Sequence, residues 1–216
     1  MQVGKTYSLL EFGRKHYENV VYLNFETNPS LIDIFNKNID PSYIIPLLSN
    51  ISNKTIIKER TLIILFEVQL CKRALASLKY FYENTNEYHI VVAGSLLGVA
   101  INRYKFSFPI GKVDILTLYP MDIEEFMSAL SEDSLIDLIE KSFLSNKPLP
   151  SAIHEKALKI YRTYLIVGCM PKCTKQYIET NDFLLVRHSQ EMILVNYLND
   201  MSKYNNLNEI KKTKLT

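Results

Sequence analysis

The chain has little of several things that would settle its class at once. It holds three cysteines, Cys71, Cys169 and Cys173, in 216 residues. That is too few, and an odd number, for a disulfide framework. No histidine or third cysteine beside Cys169 and Cys173 completes a zinc set. The thiols therefore read as reduced and structural, which points to a cytoplasmic location. No apolar run approaches the roughly 20 residues that a membrane-spanning helix needs, and the N-terminus lacks the basic-then-apolar layout of a secretory signal. Charge of one sign is lacking too. A net charge of +2 implies no polyanionic partner, and no basic-plus-aromatic pattern supports nucleic-acid binding. His16, His89, His154 and His188 have no recognisable nucleophile signature near them. There is no internal repeat and no low-complexity tract.

What is present is apolar and patterned. Hydrophobic residues make up 47% of the chain, enough to bury a core in one domain or one and a half. Residues 5–17 read as a helix carrying Leu9, Leu10 and Phe12. Residues 20–26 form a continuous apolar run, as expected of a buried parallel strand. Asn28-Pro29 and Asp40-Pro41 each read as a helix start, cap followed by proline at the first helical position. The second of these helices is expected to reach Leu48, although Pro46 falls inside it, where a proline removes a hydrogen bond. The most apolar run, 61–68, is the expected central strand. A helix follows with Ala74, Leu75, Leu78, Phe81 and Tyr82 on one face. Tyr80, Phe81 and Tyr82 read at this spacing as core and rim rather than as a base-stacking cluster. Residues 89–95 and 113–119 complete a set of four expected strands. Beyond Pro120 only helices are expected: one opened by Asp122 and Glu125 as a capping box, then 134–144, 151–167 and 182–199, with Gly168 and Pro171 ending the third. Strand–helix alternation over the first 120 residues implies an α/β fold, a parallel sheet flanked by helices.

The stretch that organises this pattern is Met1-Gln2-Val3-Gly4-Lys5-Thr6. It matches the second half of the phosphate-binding loop G-x-x-x-x-G-K-[ST], the Walker A motif, which lies between a strand and a helix. A glycine lets backbone approach phosphate closely. Successive N–H groups and the helix N-terminus make an anion nest. In such a loop the lysine reaches the β- and γ-phosphates and the threonine hydroxyl ligates Mg²⁺. The alternative is a chance tripeptide, because the motif's first glycine and its strand fall before Met1.

Several stretches then carry a family resemblance together. They are Gln-Val-Gly-Lys-Thr (2–6), Val-Val-Tyr-Leu-Asn-Phe-Glu (20–26), Thr-Leu-Ile-Ile (61–64) with Glu67 and Gln69, Ser-Leu-Lys-Tyr-Phe-Tyr-Glu (77–83), Ala-Gly-Ser-Leu-Leu-Gly-Val-Ala (93–100), Ser-Phe-Pro-Ile-Gly-Lys-Val (107–113) and Leu-Tyr-Pro-Met-Asp-Ile-Glu-Glu-Phe (118–126). The sequence resembles the prokaryotic AAA-type P-loop ATPases that carry a C-terminal domain of unknown function. The resemblance implies a P-loop ATPase core over 1–120, a helical lid over 121–200, and the start of a truncated C-terminal domain at 201–216. It implies ATP and Mg²⁺ as cofactors and a possible homo-oligomer. It assigns phosphate binding to Gly4, Lys5 and Thr6, with Thr6 also on the metal. Glu67 is assigned to polarising the attacking water, and Ser95 to sensing the γ-phosphate, where a simple strand-end cap is the alternative. Lys112 is a further phosphate or subunit contact, with a solvated charge as its alternative.

Three departures from the family pattern stand out: the first glycine with its strand, Pro46, and Phe66. The last stands where the family has the metal-associated Asp, a degenerate Walker B. Together they lead to the expectation of a truncated or decaying copy, ATP-binding but with impaired hydrolysis. The competing expectation is a non-catalytic remnant or interaction module that keeps the fold without nucleotide.

Overall fold

A computed structural model describes residues 3–94 and 111–204. The chain divides into two compact units, one spanning Gly4–Thr117 and one from Leu118 onward.

The first unit is built on a three-stranded parallel sheet in the order β1-β2-β3, formed by β1 (Asn19–Asn24), β2 (Thr61–Phe66) and β3 (His89–Ala93). Asn19 aligns with Thr61, and Leu62 with His89. β2 is central, as its unbroken apolar run requires: residues 61–65 are all buried, because both faces of a parallel strand are covered by helices. The alternation of side chains then sorts the core. Val21, Leu23, Ile63 and Leu65 point to the face packed by α2 (Ser30–Lys37), α3 (Pro41–Ser52) and α4 (Lys72–Asn84), where they meet Leu31, Phe35, Ile44, Leu48, Ala74 and Phe81. The opposite face, with Val20 and Leu62, is covered by α1 (Lys5–His16). α1 comes close enough that a Cβ on Gly13 would lie 2.6 Å from Val20 Cγ2 and 3.2 Å from Leu62 Cδ2.

Local signals explain the helix ends. Asp40 Oδ1 accepts from the Ser42 N–H at 2.8 Å, with Pro41 at the first helical position. α3 runs past Leu48 to Ser52 in spite of Pro46. Pro46 and Ser42, whose carbonyl loses its partner, are both exposed, so water can satisfy that carbonyl. The helix after Asn28-Pro29 begins one residue later than expected, at Ser30.

The strands also differ from expectation at their C-terminal ends. β1 stops at Asn24 and β2 at Phe66; Glu67 turns into the left-handed region at φ 55° and opens a 3₁₀ turn, Val68–Leu70. The expected fourth strand at 113–119 is not a strand. The run does not pair with β1 or β3, the two edges of the described sheet, and Leu116 within it is 94% exposed.

The second unit is helical: α5 (Ile123–Ala129), α6 (Asp133–Ser145), α7 (Ser151–Val167), α8 (Pro171–Thr180) and α9 (Phe183–Tyr204). The capping box forms as expected: Glu125 N–H donates to Asp122 Oδ1 at 2.8 Å, and Asp122 N–H to Glu125 Oε2 at 3.0 Å. Phe126, Val167, Cys173, Val186 and Ile193 form its core. Pro171 does more than follow a helix end. It stands at the first position of α8, where its missing N–H costs nothing. Among the described residues no helix is long and apolar enough to cross a membrane.

Candidate functional site

The order of elements places the site. α1 leads into the start of β1, so it runs antiparallel to the strands and its N-terminus lies at their C-terminal ends. Open α/β sheets bind ligands at this edge. Gly4 precedes α1 at φ 95°, a backbone state that glycine adopts without strain. Lys5 and the half-buried Thr6 occupy the first turn, whose N–H groups have no partner within the helix. Lys5 Nζ donates to Gly94 O, one residue past β3, at 3.1 Å. Burial pushes the Lys5 ammonium below its ordinary pKa, and the charge of Glu67 partly offsets this.

Glu67 lies at the corresponding end of β2, half-buried and held at positive φ. Its carboxylate accepts from Gln69 Nε2. The Gln69 amide in turn packs on Gly94, where a Cβ would collide with Oε1 and stand 3.0 Å from Cδ. Lys5, Glu67, Gln69 and Gly94 thus form one constellation across three elements. Sequence reasoning assigned roles to the first two and none to Gln69 or Gly94. The signal available was a glutamine two residues after the acid and a glycine directly after a strand.

Other sequence-predicted positions are placed differently. Lys112 Nζ pairs with Glu83 Oε1 at 3.5 Å and lies 4.8 Å from the centre of the Tyr82 ring. Glu83 is in the last turn of α4, which runs back from the C-terminal to the N-terminal end of the sheet. Lys112 is therefore not brought together with Lys5 and Glu67; it sits at the far end of the sheet. Ser95 lies outside the described residues.

Phe66 closes β2 on the α1 side. Its ring packs against Tyr22 with centroids 5.9 Å apart. This aromatic pair fills the strand ends with carbon and offers no oxygen beyond the Tyr22 hydroxyl, whose pKa is raised by burial. Among the described residues no three His, Cys, Asp or Glu side chains converge as a metal site. The Thr6 hydroxyl and the Glu67 carboxylate lie at this edge, as do Asn24 and Glu26 at the end of β1. The phosphates of a nucleotide fit the α1 N-terminus and Lys5. Mg²⁺ takes most of its six oxygens from water and substrate phosphates, so it would arrive with the nucleotide rather than be held by the protein alone.

Comparison with known proteins gives one positive result. The sequence model of a family described as AAA domain matches residues 1–127. No curated protein and no solved structure matches the chain.

Proposed function

This chain belongs to the AAA domain family, and from that premise we propose that it binds ATP at the α1 N-terminus and hydrolyses it at most very slowly. The binding half rests on Gly4, Lys5 and Thr6 at the helix start, where N–H groups without a partner inside the helix and the lysine offer charge-assisted contacts to phosphate. Thr6 is the single protein hydroxyl proposed for a nucleotide-borne Mg²⁺, which would be held chiefly by the phosphates themselves. Glu67 is proposed to orient the attacking water.

The observation that carries the catalytic half is the Phe66–Tyr22 pair. Charge developing on phosphate must be neutralised by fixed groups, and loss of one such group costs about 10²–10³ in rate. A phenyl ring where a carboxylate would hold the metal's water shell leaves that charge poorly matched. The helical region over 121–200 is proposed as the lid, Ser95 as a γ-phosphate sensor, and the cell compartment as the cytoplasm. Lys112, ion-paired on α4, is better suited to a partner-subunit contact than to phosphate.

The test is titration of the purified chain with a fluorescent ATP analogue, with and without Mg²⁺, alongside steady-state phosphate release. Saturable binding with phosphate release at background supports the reading. Absence of binding overturns it. A second reading, a module that associates with further copies of itself and binds no nucleotide, draws on the helical unit, where Phe143 is 84% and Leu184 80% exposed. It requires a blank nucleotide titration together with a concentration-dependent mass in sedimentation.

A further inference from the structure

Two local costs meet at the C-terminal end of β2. Glu67 adopts φ 55°, a region that a side chain with a Cβ disfavours. Two residues on, Gln69 Oε1 is buried and, among the described residues, accepts no hydrogen bond. A buried acceptor left without a donor costs more than an average hydrogen bond returns. Strained backbone and orphaned polar atoms gather where function over-rides local preference.

The orientation of the amide explains the second. A carboxylate only accepts, so Gln69 must turn its NH₂ toward Glu67. That leaves Oε1 facing Gly94, with no donor among the described residues. The amide reaches this position only because residue 94 has no side chain: a Cβ there would overlap Oε1. Lys5 Nζ meets the carbonyl of the same Gly94. Residue 94 is thus contacted from β2's end by Gln69 and from α1 by Lys5.

We propose that Gln69 is a positioning residue that fixes the Glu67 carboxylate beside Lys5, and that Gly94 supplies the clearance it needs. The proposal rests on the nucleotide reading above for its functional meaning. Gln69 touches neither phosphate nor water in this role; it acts through Glu67. Substituting Gly94→Ala would displace the end of the Gln69 side chain, which can swing away, so the fold survives while the hold on Glu67 is lost.

The experiment follows the Gln69 side-chain amide in the full chain without nucleotide, its ¹H–¹⁵N NMR signals assigned by their loss in Gln69→Met. Held by the Glu67 carboxylate, these protons are expected to exchange slowly with water, and Glu67→Ala should speed the exchange about tenfold or more, with a melting temperature near that of the parent chain. Gly94→Ala, which displaces the end of the Gln69 side chain, should speed it as well and add nothing in the Glu67→Ala background. Exchange in Glu67→Ala unchanged from the parent chain overturns the proposal, and so does a Gly94→Ala chain whose Gln69 amide stays protected. If the parent chain binds no nucleotide while the exchange still changes as described, the nucleotide reading falls and the Gln69 hold on Glu67 stands.

Discussion

Lys5 and Gly94 stand 89 residues apart in sequence and meet at 3.1 Å, the lysine ammonium donating to the glycine carbonyl. On the proposed reading, a phosphate at the α1 N-terminus would compete with this carbonyl for the Lys5 ammonium. A neutral carbonyl is a weaker partner than a charged phosphate oxygen.

Removing this ammonium should be felt in binding before stability. Lys5→Ala is expected to weaken binding of the fluorescent ATP analogue about tenfold or more, in line with the loss of a charge-assisted hydrogen bond. The melting temperature should change little, since Lys5 is only half-buried. Binding should also fall on the alkaline side with a midpoint below the ordinary lysine value of 10.5, because burial favours the neutral amine. Unchanged affinity in Lys5→Ala removes the lysine from the site.

Phe66→Asp exchanges the ring stacked on Tyr22 for a carboxylate. Two opposed effects are expected. Stability falls by about 2 kcal/mol, from the lost aromatic contact and apolar burial. Mg²⁺ should at the same time strengthen ATP-analogue binding more in the variant than in the parent chain, because an oxygen donor now reaches the metal's water shell. Urea denaturation and paired titrations with and without Mg²⁺ read the two effects. Robust Mg²⁺-dependent phosphate release by the unmodified chain would sink the argument for impaired hydrolysis.

Gly13 marks where α1 lies closest to the sheet. In Gly13→Ala the new methyl would stand 2.6 Å from Val20 Cγ2 and 3.2 Å from Leu62 Cδ2, so the helix must lift. A loss of about 1–3 kcal/mol is expected by urea denaturation, against the small gain that alanine normally brings inside a helix. Val20→Ala in the same chain should recover part of it. If Gly13→Ala stabilises the protein, α1 does not sit on β1 as described.

Asp40 tests the cap of α3. Its hydrogen bonds from the Ser42 hydroxyl and N–H hold its carboxyl below the ordinary value of 3.8. A depressed pKa stabilises the fold fully above the unfolded-state value, and the contribution is lost as pH falls through the folded-state value. Asp40→Ala should therefore lower the melting temperature at neutral pH. The gap between the two proteins should close as pH falls below 3.8 and through that lower value. A gap that persists unchanged in acid would show that the carboxylate charge is not what caps the helix.

What the sequence by itself determined is what neighbours a few residues apart can decide. The Asp122–Glu125 capping box, the Asp40-Pro41 helix start and the central position of the 61–66 run all follow from short-range contacts or from the burial of one segment. The start of α1 at Lys5, just after Gly4, was legible for the same reason. Tertiary structure alone decided the rest. Residues 113–119 have a strand's composition, but a strand needs a partner edge that its own sequence cannot supply. Pro171 was read as the end of one helix when it opens the next, since proline suits the start of a helix and the segment after one equally well. Lys112 went to Glu83 at the far end of the sheet because α4 returns the chain there. Gln69 met Gly94 for the complementary reason: parallel pairing of β2 with β3 brings the strand ends side by side. Glycine's missing side chain then gives the amide its room, and that room exists only once the two strands are paired.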